Sequence, residues 1–199
     1  MVRAFLSSLL IAGVAHAAPE SFDVVVYGGN AGGIAAAVQA SRMGKRVVVI
    51  EPTTRIGGMA TSGLGATDIG ARSTIGGIAR EFYGRIYTHY QQPGAWAHET
   101  RAEYVPKHPD NITENMKVHW FVEPKVAHQT FEALLAESKA TLVLNDQLLL
   151  DGGVTKQGNR IVSIKTEGGR EFAGRVFIDC SYEGDLMAKA GVAYTVGRE

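Results

Sequence analysis

Apolar and polar positions change period several times along this chain, and the changes mark its elements. Asp23 to Tyr27 is a short β-branched apolar run stopped by Gly28-Gly29, which predicts a buried parallel strand. From Ala31 the period lengthens: Ile34, Ala37, Val38 and Ser41 fall at i, i+3, i+4 and i+7, the stripe of a helix packed on a sheet. Gly44 then serves as its C-terminal cap. Val47 to Ile50 reads as a second buried strand. Together these predict a right-handed βαβ unit with its turn at the carboxyl end of the first strand.

Pro52 to Ile69 is polar and broken by glycines, so it reads as a long loop. Ile75, Ile78, Ala79, Phe82 and Ile86 make a stripe for a helix over about Gly76 to Tyr90. Gln91 to Lys117 contains Pro93, Gly94, Pro106 and Pro109 and has no clear period, which predicts an irregular excursion. Val118 to Val122 is a strand, Pro124 to about Ser138 a helix burying Ala127, Phe131, Leu134 and Leu135, and Thr141 to Leu144 a strand. The expectation is one more βαβ step on the same sheet. Leu148 to Leu150, Arg160 to Thr166 and Arg170 to Phe172 are short runs between glycine pairs, which predicts an antiparallel meander. Arg175 to Asp179 returns as a buried strand.

The first turn carries the chemistry. A dinucleotide fingerprint uses three glycines: one for the tight turn, one for backbone approach to the pyrophosphate, one for close packing of helix on strand. Here the positions are Gly28, Asn30 and Gly33, within Gly28-Gly29-Asn30-Ala31-Gly32-Gly33. Asn replaces the middle glycine; among non-glycines it enters left-handed backbone most readily, and its amide can donate to a phosphate. The helix starting near Ala31 aims free N–H groups and a positive dipole end at the same place. Glu51 ends the second strand 18 residues beyond Gly33. An acidic residue at that distance suits a ribose hydroxyl and repels a 2′-phosphate.

DVVVYGGNAGGIAAA, EPTTRIGGMATSGLGATDIG, IGGIAREFY and VFIDCSYEGDLMAKAGVAYTVGRE together resemble the FAD-dependent oxidoreductase family within the two-dinucleotide-binding flavoprotein superfamily. The resemblance implies an α/β fold, a Rossmann-like FAD-binding domain with a parallel sheet, flanking helices and an antiparallel β-meander over residues 18–199. It implies FAD as cofactor, a small-molecule substrate, and hydride transfer between that substrate and the flavin. Arg55-Ile56-Gly57-Gly58-Met59 matches the R-x-G-G element that runs beside the pyrophosphate and ribityl part of FAD in such proteins. Paired glycines bring main-chain N–H groups close there, and Arg55 adds charge. The implied cofactor-binding set is therefore Gly28, Gly29, Asn30, Ala31, Gly32, Gly33, Glu51, Arg55, Gly57, Gly58 and Met59, with no catalytic residue named. The resembling flavoproteins continue into a substrate domain, so the chain reads as an N-terminal, FAD-binding part whose other half is missing or sits on a partner chain. Two other readings stay open: a non-catalytic nucleotide-binding remnant, and an NAD-dependent dehydrogenase.

Composition narrows the partners. Twenty Lys and Arg balance twenty Asp and Glu, so no overall field favours nucleic acid or an anionic membrane. Met1 to Ala17 carries Arg3, an apolar run from Ala4 to Val14 and Ala15-His16-Ala17, which predicts a cleaved secretory signal and an extracellular or periplasmic protein. That run is too short to span a bilayer. Asn111-Ile112-Thr113 is a glycosylation sequon, expected to be exposed. His89, His98, His108 and His119 form no metal spacing and read as surface or substrate-loop histidines. Cys180, the single cysteine, reads as a buried strand-end residue. Glu183 and Asp185 read as turn or cap residues rather than an acid–base pair.

Overall fold

The computed structural model describes residues 18–198; the expected leader, Met1 to Ala17, lies outside them. A six-stranded sheet organises the molecule. Its centre is β1 (Glu20–Tyr27), parallel on one side to β2 (Val47–Glu51) and on the other to β8 (Glu171–Asp179). β5 (Thr141–Leu144) extends the parallel part beyond β2. β7 (Arg160–Lys165) and β6 (Val154–Gln157) add an antiparallel wing beyond β8. The order is β5-β2-β1-β8-β7-β6.

The apolar run of β1 works on both faces, as buried parallel strands do. Val24 and Val26, with Val47 and Val49 of β2, pack under α1 (Ala31–Arg42), α2 (Gly77–His89) and α4 (Pro124–Ser138). Ile34, Ala37 and Val38 of the predicted stripe are fully buried there, beside Phe82, Ile86, Phe131 and Leu134. Val25, Tyr27, Val48 and Ile50 point the other way, into a smaller core with Leu148, Ile164, Phe172 and Leu186. Phe82 and Phe131 stack with centroids 4.4 Å apart and tie α2 to α4. Truncating Ile34 or Leu134 to Ala would cost roughly 2–5 kcal/mol by the usual cavity arithmetic.

Several elements differ from the sequence expectations. Gln91 to Lys117 is not irregular throughout: α3 (Arg101–Lys107) sits inside it, started by Thr100, whose hydroxyl accepts from Glu103 N while the Glu103 carboxylate accepts from Thr100 N. Pro106 falls near the end of this short helix and does not prevent its first turn. The strand expected at Val118 to Val122 does not join the main sheet. Only Val118–His119 (β4) is extended, and it pairs antiparallel with β3 (Ile112–Thr113), because β5 already occupies the free edge of β2.

In the meander, Leu148 makes only an isolated bridge to Thr166, and Val154–Gln157 forms the strand instead. Arg170 to Phe172 and Arg175 to Asp179 are one continuous strand. Gly174 between them does not break it; a Cβ there would lie 2.8 Å from Val25 Cγ2, so glycine lets β8 lie close on β1. The sequon also differs from expectation. Asn111 is half-buried, and its Nδ2 donates to Tyr104 Oη at 2.5 Å.

Candidate functional site

β1 ends because Gly28 turns the chain with φ +102°, a conformation that strains any residue with a Cβ. A Cβ there would also sit 2.6 Å from the Cys180 carbonyl carbon and oxygen, at the end of the adjacent strand β8. Gly33 is tighter still: its Cβ would lie 1.9 Å from Gly28 O, so the helix can approach its own strand only through glycine. The first and third fingerprint positions thus do what their spacing predicts.

Asn30 does something else. Its backbone is extended, with φ −73° and ψ −178°, not left-handed, and it caps α1 by accepting from Gly33 N at 3.0 Å through Oδ1. Its Nδ2 donates to Cys180 O at 2.5 Å, so one of the amide's two N–H donors ties the turn to the return strand. Capping by a side-chain oxygen requires extended backbone at the cap position, which is the reason for the difference. Ala31 and Gly32 begin α1 and are exposed, and no acidic residue occupies the first turn. N–H groups of a first turn lack acceptors within their helix, so this end offers donors and a positive dipole to an anion.

Glu51 is buried at the neighbouring strand end. Its Oε2 accepts from Gly29 N at 2.6 Å and its Oε1 from Thr53 N at 2.8 Å, so the carboxylate bridges the glycine turn to the following loop. Ionised carboxylates have about four acceptor sites, which leaves capacity for a further donor.

The Arg55 to Met59 segment is drawn to the same place. Gly57 N donates to Gly29 O at 2.7 Å, and Asn30 and Gly57 are bridged in parallel fashion. Both glycines need positive φ, +98° at Gly57 and +56° at Gly58. Arg55 is exposed and gives Nε to Thr61 O at 3.1 Å. Met59 is the exposed residue beyond, and its N–H donates to Tyr182 Oη at 2.8 Å.

Tyr182 belongs to the loop after β8, in which Cys180, Glu183 and Asp185 carry sequence expectations and Tyr182 does not. Asp179 shapes that loop: Oδ1 accepts from Ser181 N and Oγ, and Oδ2 from Met187 N at 2.7 Å. Ser181 Oγ accepts from Asp185 N at the start of α5 (Asp185–Lys189). Asp185 is therefore a first-turn residue, as read, and Glu183 is exposed. Cys180 is half-buried, and burial followed by the Asp179 charge pushes its thiol up, away from a reactive thiolate. Turn, cap, Glu51, the paired glycines and the return loop all meet at the carboxyl edge of the sheet, where open α/β sheets take their ligands.

A second concavity lies in the excursion before α4. It is a cavity of about 400 Å³ lined by aromatic residues, two glutamates and two histidines, His98 and His119. His119 is not a surface histidine: it is 3% exposed, and burial, with the Arg101 charge second, holds its imidazole down to about 4. Its sequence signal was a lone His between Val118 and Trp120, which spacing alone does not separate from a loop histidine.

The chain matches the family described as FAD dependent oxidoreductase over residues 23–199. Its fold is similar to L-proline dehydrogenase from P. horikoshii, with 17% identity, a TM-score of 0.57, and coverage of 90% of this chain and 58% of that one. It is also similar to a geranylgeranyl bacteriochlorophyll reductase-like protein from Thermoplasma acidophilum, at 19% identity and TM-score 0.54 over 88% of this chain and 43% of that one. Glycine oxidase from Bacillus cereus gives 12% identity and 0.51 over 84% and 57%. At these identities the likeness is one of fold, and the chain spans less than two thirds of each of those structures. No curated protein matches the chain.

Proposed function

The chain belongs to the FAD dependent oxidoreductase family, and from that premise we propose that the Gly28–Gly33 turn, Glu51 and Arg55–Met59 hold the ADP portion of FAD. The observation that carries this is the cradle at Gly33, where a single added carbon would meet Gly28 O at 1.9 Å. A turn closed that tightly sets the N-terminus of α1 directly against the end of β1, the place where a pyrophosphate is favoured. Glu51, already fixed by Gly29 N and Thr53 N, has acceptor capacity for a ribose hydroxyl and charge to repel a 2′-phosphate. Arg55, exposed beside the paired glycines, supplies positive charge.

FAD, when bound, supplies the redox chemistry by taking hydride from a donor and passing reducing equivalents to an acceptor. The chain's own residues bind and orient its adenine end. A small molecule is the proposed donor, and further walls of the ring and substrate sites come from a partner chain or from sequence beyond this stretch. Export is part of the proposal, supported by the apolar run Ala4 to Val14 and the Ala15-His16-Ala17 step.

Titrating FAD into the full chain and following flavin fluorescence tests the assignment. Saturable quenching that ADP competes away, and that an adenosine carrying a 2′-phosphate competes away less well, is the expected result. Binding of FAD that ADP leaves untouched would place the nucleotide elsewhere.

A further inference from the structure

The cavity beside α4 has the character of a ligand site. Trp96 joins two tyrosines, with ring centroids 5.4 Å from Tyr90 and 5.1 Å from Tyr104. His119 meets both tyrosines edge-on, at 4.7 Å and 84° from Tyr90 and 6.0 Å and 83° from Tyr104. Neither His119 ring nitrogen has a hydrogen-bond partner among the described residues, although both are buried. Buried polar atoms are ordinarily paired, and each one left alone costs roughly 1–3 kcal/mol, so a ligand that reaches this ring recovers that loss.

The lining also has a sign. No Lys or Arg is among the residues that line the cavity; its acidic and imidazole lining is Glu99, Glu123 and the two histidines, His98 and His119. Lys107 pairs with Glu99 at 2.9 Å from outside the lining, and Arg101, whose charge acts on His119, is paired with Glu114. Glu123 is exposed at the start of α4, and its backbone N donates to Tyr90 Oη at 3.3 Å. Burial first, then the Glu123 charge, push the Tyr90 hydroxyl up to about 12, so it stays neutral. Neutral aromatic faces carry negative potential, and with carboxylates beside them they favour a cation. An uncharged imidazole contributes a lone pair that accepts from N⁺–H.

We propose that the cavity formed by Tyr90, Trp96, Tyr104 and His119, with Glu123 at its rim, binds a small organic ammonium ion. The aromatic rings contact its carbon skeleton, Glu123 balances its charge, and His119 accepts a hydrogen bond. The inference does not rest on the cofactor reading, because none of these residues belongs to the glycine turn or to Arg55–Met59.

The test compares benzylammonium with benzyl alcohol, titrated into the full chain near neutral pH. Tryptophan fluorescence follows Trp96, and the ring signals of labelled histidine follow His119. Benzylammonium is expected to saturate, to bind about tenfold tighter than the alcohol, and to shift the His119 ring. Glu123→Gln, at an exposed position, is expected to erase most of that preference with the melting temperature unchanged; Tyr104→Leu should weaken both probes. Equal binding of cation and alcohol, no saturation by benzylammonium, or an unmoved His119 ring would overturn the proposal. So would displacement of benzylammonium by FAD, which would assign the cavity to the cofactor. Should Tyr104→Leu not fold, the comparison of the two probes on the parent and Glu123→Gln still decides.

Discussion

The glycine turn at Gly28–Gly33 and the cavity around His119 are both concave, yet they are built from opposite materials. The turn is backbone: Gly28, Gly29, Gly57 and Gly58 bring main-chain groups together, and Asn30 and Glu51 spend their side chains on holding that backbone. The cavity is side chain, an array of rings from Tyr90 at the end of α2, the loop after it, α3 and β4. A backbone site tolerates almost no added atom; a side-chain site tolerates change but depends on charge and burial. The two should therefore fail in different ways.

The largest expected effect is at the turn. Gly33→Ala places a carbon 1.9 Å from Gly28 O, an overlap with backbone that no rotamer relieves. FAD affinity should fall more than about a hundredfold and stability by about 2 kcal/mol or more, measured by fluorescence titration and urea unfolding. Ammonium binding in the cavity should survive wherever the variant folds. Gly28→Val should do the same, since φ +102° and the Cys180 carbonyl both oppose a Cβ.

The cavity should instead show itself in pH. An imidazole held down to about 4, below its ordinary 6.5, is uncharged in the fold and protonates more readily once unfolded. The stability it confers is fully present above about pH 6.5 and is lost as pH falls toward about 4. The expected loss across that window is on the order of 1–3 kcal/mol by denaturant unfolding. Glu81, held down to about 2 by Arg42 and Arg85, contributes stability that is lost only below its ordinary 4.5, so the His119 slope is read above that pH. His119→Phe should flatten the slope; an unchanged slope would mean that other groups titrate there.

Glu51→Ala should weaken FAD by roughly 1–3 kcal/mol, because it removes the proposed ribose acceptor and leaves Gly29 N and Thr53 N without their carboxylate. It should leave the ammonium probe unaffected. Tyr182→Phe should have the smallest effect, about 0.5–1.5 kcal/mol in stability, since it removes one acceptor from Met59 N at an exposed contact. A larger change in FAD affinity than in stability would bring Tyr182 into the nucleotide site.

The same contrast explains what could be read from the sequence. β1, α1, β2 and α4 follow local periodicity, and Gly28, Gly33 and Gly44 sit where a local conformation demands glycine, so they were legible. The extended backbone of Asn30 and its hold on Cys180 O were not legible, because that partner lies 150 residues away. The Thr100-x-x-Glu103 capping box announced α3 but was masked by the prolines around it. The two strands expected at Arg170 to Phe172 and Arg175 to Asp179 are one, and Gly174 within it lets β8 approach β1 closely. The aromatic cavity depends on residues from separate elements meeting, and single-residue spacing carries no record of that. His119 could have been suspected only from its place between the apolar Val118 and Trp120.

The most direct test of the central claim is the visible absorption spectrum of the purified full chain, before and after denaturation and with FAD added, with Gly33→Ala measured beside it. A flavin spectrum on the parent, present at isolation or gained on adding FAD, released on denaturation and absent from Gly33→Ala, is the predicted result. A parent chain that stays colourless with FAD present, or a Gly33→Ala chain that takes up FAD equally well, would contradict the assignment of the glycine turn as the flavin's anchor.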